Sequence, residues 1–267
     1  MSEQRIEAKL PDYGTRTDEI TIYAGPCSVE SEEQFFEVAE CISDLGLTWI
    51  RGGAYKPRTN PHSFQGLGEE ALKIMKSAGD RYNLKTLTEV MDSARCQLVA
   101  DYVDGLQVGA RNFQNFSLLK KIGEVTADTH QMVLYKRGFA GTIAEWLAAT
   151  DYITDHGNTN VVLCERGIRT FETATRFTLD IAAVPVIHKQ SLYPVCIDVS
   201  HPAGQRDLVP SLAKAAIAAG ADSLMIEVHP NPPVALSDGP QQLTPAQFRE
   251  LIAELRELAA CLGKKIV

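Results

Sequence analysis

Short β-branched runs alternate with stretches of helical periodicity along the chain, one pair about every 30 residues. No other feature restricts the fold as strongly, because strands separated by helices lie parallel and are crossed by those helices. The runs 20–24, 49–52, 85–90, 105–108, 132–136, 161–164, 195–198 and 223–227 read as strands. The stretches 32–45, 69–82, 93–100, 116–122, 143–156, 173–181 and 208–219 read as the helices between them, and 245–262 as the last. Ser31 and Gln34 have the spacing of a capping box, and Thr244-Pro245 places an N-cap before a first-turn proline. Gly46, Gly157, Gly220 and Gly263 each stand where a helix ends. Ile143, Trp146, Leu147 and Ile153 share one helix face, as packing on a sheet requires. Eight such units in 267 residues have the proportions of an α/β fold of the (β/α)8 TIM-barrel type, with an open doubly wound sheet as the alternative. No composition break, Gly/Ser tract or charge block divides the chain. A single domain is expected, with an N-terminal arm over 1–17 and the barrel over 18–267.

Composition narrows the partners. Asp and Glu number 34 against 26 Lys and Arg, a net charge of -8, which disfavours nucleic acid and anionic membrane surfaces. No apolar run approaches the roughly 18–20 residues of a membrane span. The start, Met1-Ser2-Glu3-Gln4-Arg5, lacks the apolar core of a secretion signal. Cys27, Cys41, Cys96, Cys164, Cys196 and Cys261 show no repeating spacing. They read as reduced thiols of a cytoplasmic protein, most of them small buried apolar residues.

In a barrel of this kind, catalytic groups sit at the C-terminal strand ends and on the loops that follow. Two groups of residues fall there. One is basic: Arg51, Lys56, Arg58, Arg111, Lys136 and Arg166. Any one of them could be ordinary loop decoration, but six at successive strand ends of an acidic chain would repel one another unless anions shared the site. Two phosphates and a carboxylate match such a pocket, since guanidinium forks suit both. The other group is Cys27, His201, Glu227 and Asp238, a thiol, an imidazole and two carboxylates suited to Mn²⁺, Fe²⁺, Co²⁺ or Zn²⁺. Taken singly, Cys27 equally suits a buried thiol, His201 a satisfied loop residue, and the carboxylates partners for the arginines.

The same positions carry a run of longer motifs. They are Ala24-Gly25-Pro26-Cys27-Ser28, then Arg51-Gly52-Gly53-Ala54-Tyr55-Lys56-Pro57-Arg58-Thr59, then Val108-Gly109-Ala110-Arg111-Asn112. Leu134-Tyr135-Lys136-Arg137-Gly138, Cys164-Glu165-Arg166-Gly167, Asp198-Val199-Ser200-His201, Ile226-Glu227-Val228-His229-Pro230 and Ser237-Asp238-Gly239-Pro240-Gln241 follow in order. From about residue 18 onward the chain resembles the 3-deoxy-D-arabino-heptulosonate 7-phosphate (DAHP) synthases of the type I beta branch. The resemblance implies a transferase on a (β/α)8 barrel that condenses phosphoenolpyruvate with erythrose 4-phosphate, the first step of the shikimate pathway to aromatic amino acids. It implies a divalent metal on Cys27, His201, Glu227 and Asp238. Arg111 and Arg166 would hold the phosphoenolpyruvate phosphate, Arg51 and Lys136 its carboxylate, and Arg58 and Thr59 the phosphate of erythrose 4-phosphate. Ala110 would line the substrate pocket, and Lys56 would lie close to the reacting atoms. A proton donor is available either at Lys56 or at Lys136-Arg137.

Two rivals remain open at this level. The octulosonate 8-phosphate synthases use arabinose 5-phosphate on a related barrel, but usually carry an Ala-Asn-Arg-Ser type sequence where this chain has Lys56-Pro57-Arg58-Thr59. A non-catalytic barrel that binds phosphorylated ligands would be expected to have a broken metal set. Val199 and Gln205 depart from the commoner family wording around the histidine. His229 suits either support of the ligands or packing, and His62, His130, His156 and His188 read as solvent or loop residues. The family resemblance also implies a homodimer or homotetramer; feedback control would then need a separate regulatory protein that brings its own sensor site. No segment outside the barrel has the length of a sensor module, and allostery needs a second site with its own differential contacts. The isolated protein is therefore expected to be insensitive to phenylalanine, tyrosine, tryptophan, chorismate and prephenate. Titrating each at subsaturating substrates checks this, and inhibition non-competitive with both substrates would overturn it.

Overall fold

The computed structural model describes residues 18–56, 60 and 62–267. The proposed arm, 1–17, lies outside the described residues. Eight strands form the wall: β1 (Glu19–Gly25), β2 (Trp49–Arg51), β3 (Lys85–Val90), β4 (Gly105–Val108), β5 (Met132–Lys136), β6 (Val161–Glu165), β7 (Val195–Asp198) and β8 (Ser223–Glu227). Each pairs in parallel with the next, and β1 pairs with both β8 and β2, so the sheet closes on itself. A ninth short strand, β9 (Lys265–Ile266), adds to β1 below the barrel. The open-sheet alternative is excluded by that closure.

Helices α1 (Glu32–Asp44), α2 (Glu69–Tyr82), α3 (Cys96–Ala100), α4 (Phe116–Val125), α5 (Ile143–Thr154) and α6 (Ala183–Gln190) follow the first six strands. A short α7 (Ser200–Ala203) stands on the loop after β7, before α8 (Val209–Ala218); α9 (Pro245–Cys261) follows β8. Trp146, Leu147 and Ile153 of α5 are buried against the wall, as their shared face requires. Thr244 and Gln247 form a full capping box ahead of Pro245. Gly46, Gly157, Gly220 and Gly263 all adopt positive φ just beyond a helix. No described helix is long and apolar enough to cross a membrane.

Two local expectations need correction. The sixth helix is not at 173–181 but at Ala183–Gln190, where Ala183, Val184 and Ile187 face the core. The stretch before it is a loop tied down by bridges of its own, Ile168 to Thr178 and Phe177 N to Pro202 O. Pro185 fits the first turn of α6, where no intrahelical N–H is needed. At α1, Ser31 accepts from Gln34 N as expected, but the Gln34 amide reaches past it to Glu30 N and Ser28 O.

The side-chain period of two divides the core in half. Ile20, Ile22, Val133, Tyr135, Leu163, Val195, Ile197, Leu224 and Ile226 face outward beneath the helices. Tyr23, Leu87, Met132, Leu134, Val162, Cys164, Cys196 and Met225 fill the inside. All six cysteines are free thiols and only Cys261 is exposed.

Gly25, at the top of β1, has φ +147°, and a Cβ there would lie 2.0 Å from the Arg51 carbonyl oxygen. Gly220 has φ +96° with open space around it. Gly25→Ala is expected to lower the urea unfolding free energy by at least about 2 kcal/mol, against about 1 kcal/mol for Gly220→Ala. Equal losses would show that the close approach of β1 to β2 is not a constraint.

Candidate active site

The inward parity of each strand carries on past its last apolar residue. Trp49 leads to Arg51, Leu87 to Glu89, Leu134 to Lys136, Cys196 to Asp198 and Met225 to Glu227. The first three of these polar residues, with Gln107 from β4, line a cavity of about 310 Å³ at the C-terminal mouth. Lys56, Ala110, Arg111, Arg166, His201 and Asp238 join them from the loops. Arg58 and Thr59 lie outside the described residues, although Asn60 and Ser63 beside them reach the same cavity.

Cys27, Glu227 and Asp238 present one ligand atom each, all within 4.8 Å of one another. Cys27 Sγ is 3.5 Å from Asp238 Oδ2. His201 Nε2 approaches from the other side, 3.6 Å from Glu227 Oε1 and 3.8 Å from Asp238 Oδ2. Its other ring nitrogen, Nδ1, lies 2.7 Å from Asp198 Oδ2, which leaves Nε2 facing the carboxylates. An imidazole backed by a carboxylate in this way is the usual support for a metal-binding histidine. The donor types suit a divalent ion, with Cys27, Glu227 and Asp238 converging and His201 facing the two carboxylates. Burial, and then the Glu227 charge, push the Cys27 thiol up to about 12, while Lys56 pulls the other way. Binding an ion through this sulfur would release its proton.

The cations divide by whether a carboxylate already holds them. Arg51 Nη1 pairs with Glu227 Oε1 at 3.1 Å and donates to Pro26 O at 2.8 Å. Lys136 Nζ pairs with Asp198 Oδ2 at 2.7 Å. Burial alone would raise the Asp198 carboxyl, but His201 and Lys136 hold it well below the usual range. Lys56 Nζ donates to Cys27 O at 2.9 Å and lies 3.0 Å from its sulfur. Burial works against the Lys56 ammonium, yet its interactions with Cys27 and Glu227 raise its proton affinity above the ordinary value. Among the described residues, Arg111 and Arg166 form no ion pair. They stack on rings instead, Arg166 at 4.1 Å from the Phe177 centroid and 4.9 Å from that of Phe139, Arg111 at 5.9 Å from Phe139. Arg166 Nη1 is buried without a hydrogen-bond partner. Burial, with Arg176 adding to it, lowers its affinity for the proton. Two guanidinium groups held by aromatic faces and left unpaired make an anion pocket.

Arg137 takes no part in this cavity. Its parity points it outward, where it pairs with Glu165 at 3.0 Å and Asp180 at 2.7 Å. Of the proton donors considered, Arg137 is thus committed elsewhere. His229 also turns away from the ligand atoms. Its Nε2 faces Glu30 Oε2 at 3.4 Å, and its Nδ1 accepts from Asn231 N. Glu30 in turn accepts from Leu236 N and Ser28 Oγ, and Ser28 Oγ shares a 2.7 Å hydrogen bond with Ser237 Oγ. Gln242 completes the brace, accepting from Cys27 N and donating to Ser237 O. The loops carrying Cys27 and Asp238 are in this way fastened to each other. His188 is a helix residue, 2.8 Å from Asp222 Oδ2, rather than a loop or solvent residue.

Sequence reasoning missed Glu89, Gln107, Asp198, Arg176 and Gln241. For the first three a signal existed: each continues the inward parity of its strand. Gln241 closes the motif that carries Asp238, which gave it no role of its own; Arg176 lies on a loop whose course the periodicity does not give.

Similarity to known proteins agrees with this geometry. The sequence model of the DAHP synthetase I family matches residues 13–262. A Thermotoga maritima protein named phospho-2-dehydro-3-deoxyheptonate aldolase is 52% identical over 246 residues, covering 92% of this chain and 72% of that one. A crystal structure of the DAHP synthase from that organism matches with a TM-score of 0.90 at 50% identity, over 94% of this chain and 72% of that one. A truncated form of the Thermotoga maritima synthase matches at 0.86 and 48% identity, over 94% and 90%. A 2-dehydro-3-deoxyphosphooctonate aldolase of Caulobacter vibrioides is 32% identical, over 89% of this chain and 87% of that one.

Removing one member of a buried ion pair leaves the other uncompensated, at about 3–5 kcal/mol. Asp198→Asn is expected to lower the unfolding free energy by about 3 kcal/mol, and adding Lys136→Met to recover part of that loss. A double variant no more stable than the single one would show that the Lys136–Asp198 pair is not the source.

Proposed function

This chain belongs to the DAHP synthetase I family and is an enzyme; from that premise we propose that it condenses phosphoenolpyruvate with erythrose 4-phosphate to give DAHP and inorganic phosphate. The observation that carries the reading is a pocket of arginines without ion-pair partners, bordered by His201 and Asp238, with Cys27 and Glu227 converging on Asp238 behind them. The 52% identity to the heptonate aldolase, against 32% to the octonate aldolase, favours the four-carbon sugar phosphate.

Arg111 and Arg166 take the phosphate of phosphoenolpyruvate, and their aromatic backing fixes both forks before the ligand arrives. Arg51 and Lys136 face the carboxylate, each kept in place by its own carboxylate partner. Arg58 and Thr59 take the phosphate of erythrose 4-phosphate, near Asn60 and Ser63. Cys27, His201, Glu227 and Asp238 hold a divalent ion, Mn²⁺, Fe²⁺, Co²⁺ or Zn²⁺, which when bound supplies Lewis-acid polarisation of the aldehyde. A carbon–carbon bond forms between the methylene carbon of phosphoenolpyruvate and the aldehyde carbon. Water adds at the neighbouring carbon, whose bond to the phosphate oxygen then breaks, and the aldehyde oxygen gains a proton. Lys56, protonated and beside Cys27, is the donor we favour, since Arg137 is held outside the cavity. The remaining cations hold two highly charged anions together that would otherwise repel.

An assay of phosphate release with erythrose 4-phosphate and arabinose 5-phosphate in parallel, before and after chelation, tests the reading. Turnover with the four-carbon sugar that is lost on chelation and restored by metal is expected; a preference for arabinose 5-phosphate would overturn the substrate assignment. Cys27→Ala is expected to bind no metal and turn over at least about 10³-fold more slowly, with its melting temperature within a few degrees of the parent. Arg58→Ala is expected to raise the KM for erythrose 4-phosphate far more than that for phosphoenolpyruvate. Equal effects on both would mean that the two phosphate pockets are merged.

A further inference from the structure

Arg176 has no place in the reaction above, yet its guanidinium touches the metal-binding set. It sits half-exposed on the loop between β6 and α6, at the cavity mouth. One nitrogen, Nη1, makes two contacts: 3.2 Å to Asp238 Oδ2 and 2.9 Å to Gln241 Oε1. Gln241 is buried and passes the contact on, donating Nε2 to Glu227 Oε2 at 2.7 Å. Asp238 Oδ2 is also the oxygen that faces Cys27 Sγ and His201 Nε2. The atom best placed to meet an ion is thus the one the guanidinium already holds.

That contact has a clear electrostatic effect. Glu227 and Asp238 are two carboxylates brought close together, and like charges so placed repel unless cations compensate them. Arg51 compensates Glu227 and Arg176 compensates Asp238. A divalent ion sharing Oδ2 would face the guanidinium charge across that oxygen, and the two cations repel. Arg176 can leave, since it is half-exposed, whereas Arg51 is buried and anchored to Pro26 O.

We propose that Arg176, through its contact with Asp238 Oδ2, competes with a divalent ion for that oxygen. The inference rests on the reading of Cys27, His201, Glu227 and Asp238 as the metal site. Binding the ion through Asp238 Oδ2 displaces the guanidinium from that oxygen.

Metal affinity of the purified full chain, measured by competition with a chromogenic chelator for Zn²⁺ and Mn²⁺ without substrates, tests this. Arg176→Gln and Arg176→Met are each expected to bind about three- to tenfold more tightly than the parent, and Arg176→Lys about as the parent does. A merely structural role gives the opposite sign, because a loosened site binds metal less well. Equal or weaker binding by the Gln and Met variants, with parental melting temperature, would overturn the proposal. The parent and Cys27→Ala are titrated alongside. If the parent fails to bind one ion per chain, or Cys27→Ala binds equally well, the metal-site reading itself fails and takes this inference with it.

Discussion

Closure of eight parallel strands into one wall is the constraint on which everything else here depends. Once the sheet is closed, alternate residues of every strand point at one axis, and there is room inside only for those. Low in the barrel that inner set is apolar, from Tyr23 round to Met225, and it makes a packed plug. Two residues further along each strand the same parity delivers Arg51, Glu89, Lys136, Asp198 and Glu227 into the mouth. Residues one step out of phase go to the other side, and Arg137 shows the consequence. It directly follows Lys136 yet belongs to a separate ion-pair group with Glu165 and Asp180, outside the wall.

Charge decides how that mouth is organised. Three carboxylates are matched with three cations: Glu227 with Arg51, Asp198 with Lys136, Asp238 with Arg176. Those pairs fix side chains in position and leave little net charge. Arg111 and Arg166 are positioned differently, by the stacked rings of Phe139 and Phe177, 5.2 Å apart. Ring faces attract a guanidinium without neutralising it, so these two cations keep their charge free of an ion-pair partner. An acidic chain thereby keeps one strongly anion-attracting cavity.

The loops are held as firmly as the strands. The segments bearing Cys27 and Asp238 come from opposite ends of the sequence, and neither has regular structure to fix it. Ser28, Glu30, His229, Ser237 and Gln242 join them through buried hydrogen bonds. Such a supporting layer keeps ligand atoms within a few tenths of an ångström, as a metal site requires. His229 belongs to this layer through Glu30, not through the ligand atoms themselves.

The strand-helix alternation, the boundaries of most strands and some of the residues at the mouth can be read from the chain alone. Hydrophobic period, caps and glycines are local properties, so Lys85–Val90, Met132–Lys136 and Ser223–Glu227 were legible to the residue. Local signals failed where a segment's conformation is set by what it packs on. The stretch 173–181 carries a pattern that suits a helix, but its backbone bonds go to Pro202 and within its own loop, and the helix begins at Ala183. Only the tertiary structure brought Cys27, His201, Glu227 and Asp238 to one point, and only it set Arg176 upon Asp238 and sent Arg137 away. Residues more than 200 positions apart share no local pattern; what joins Cys27 to Asp238 is the closing of the barrel between β8 and β1.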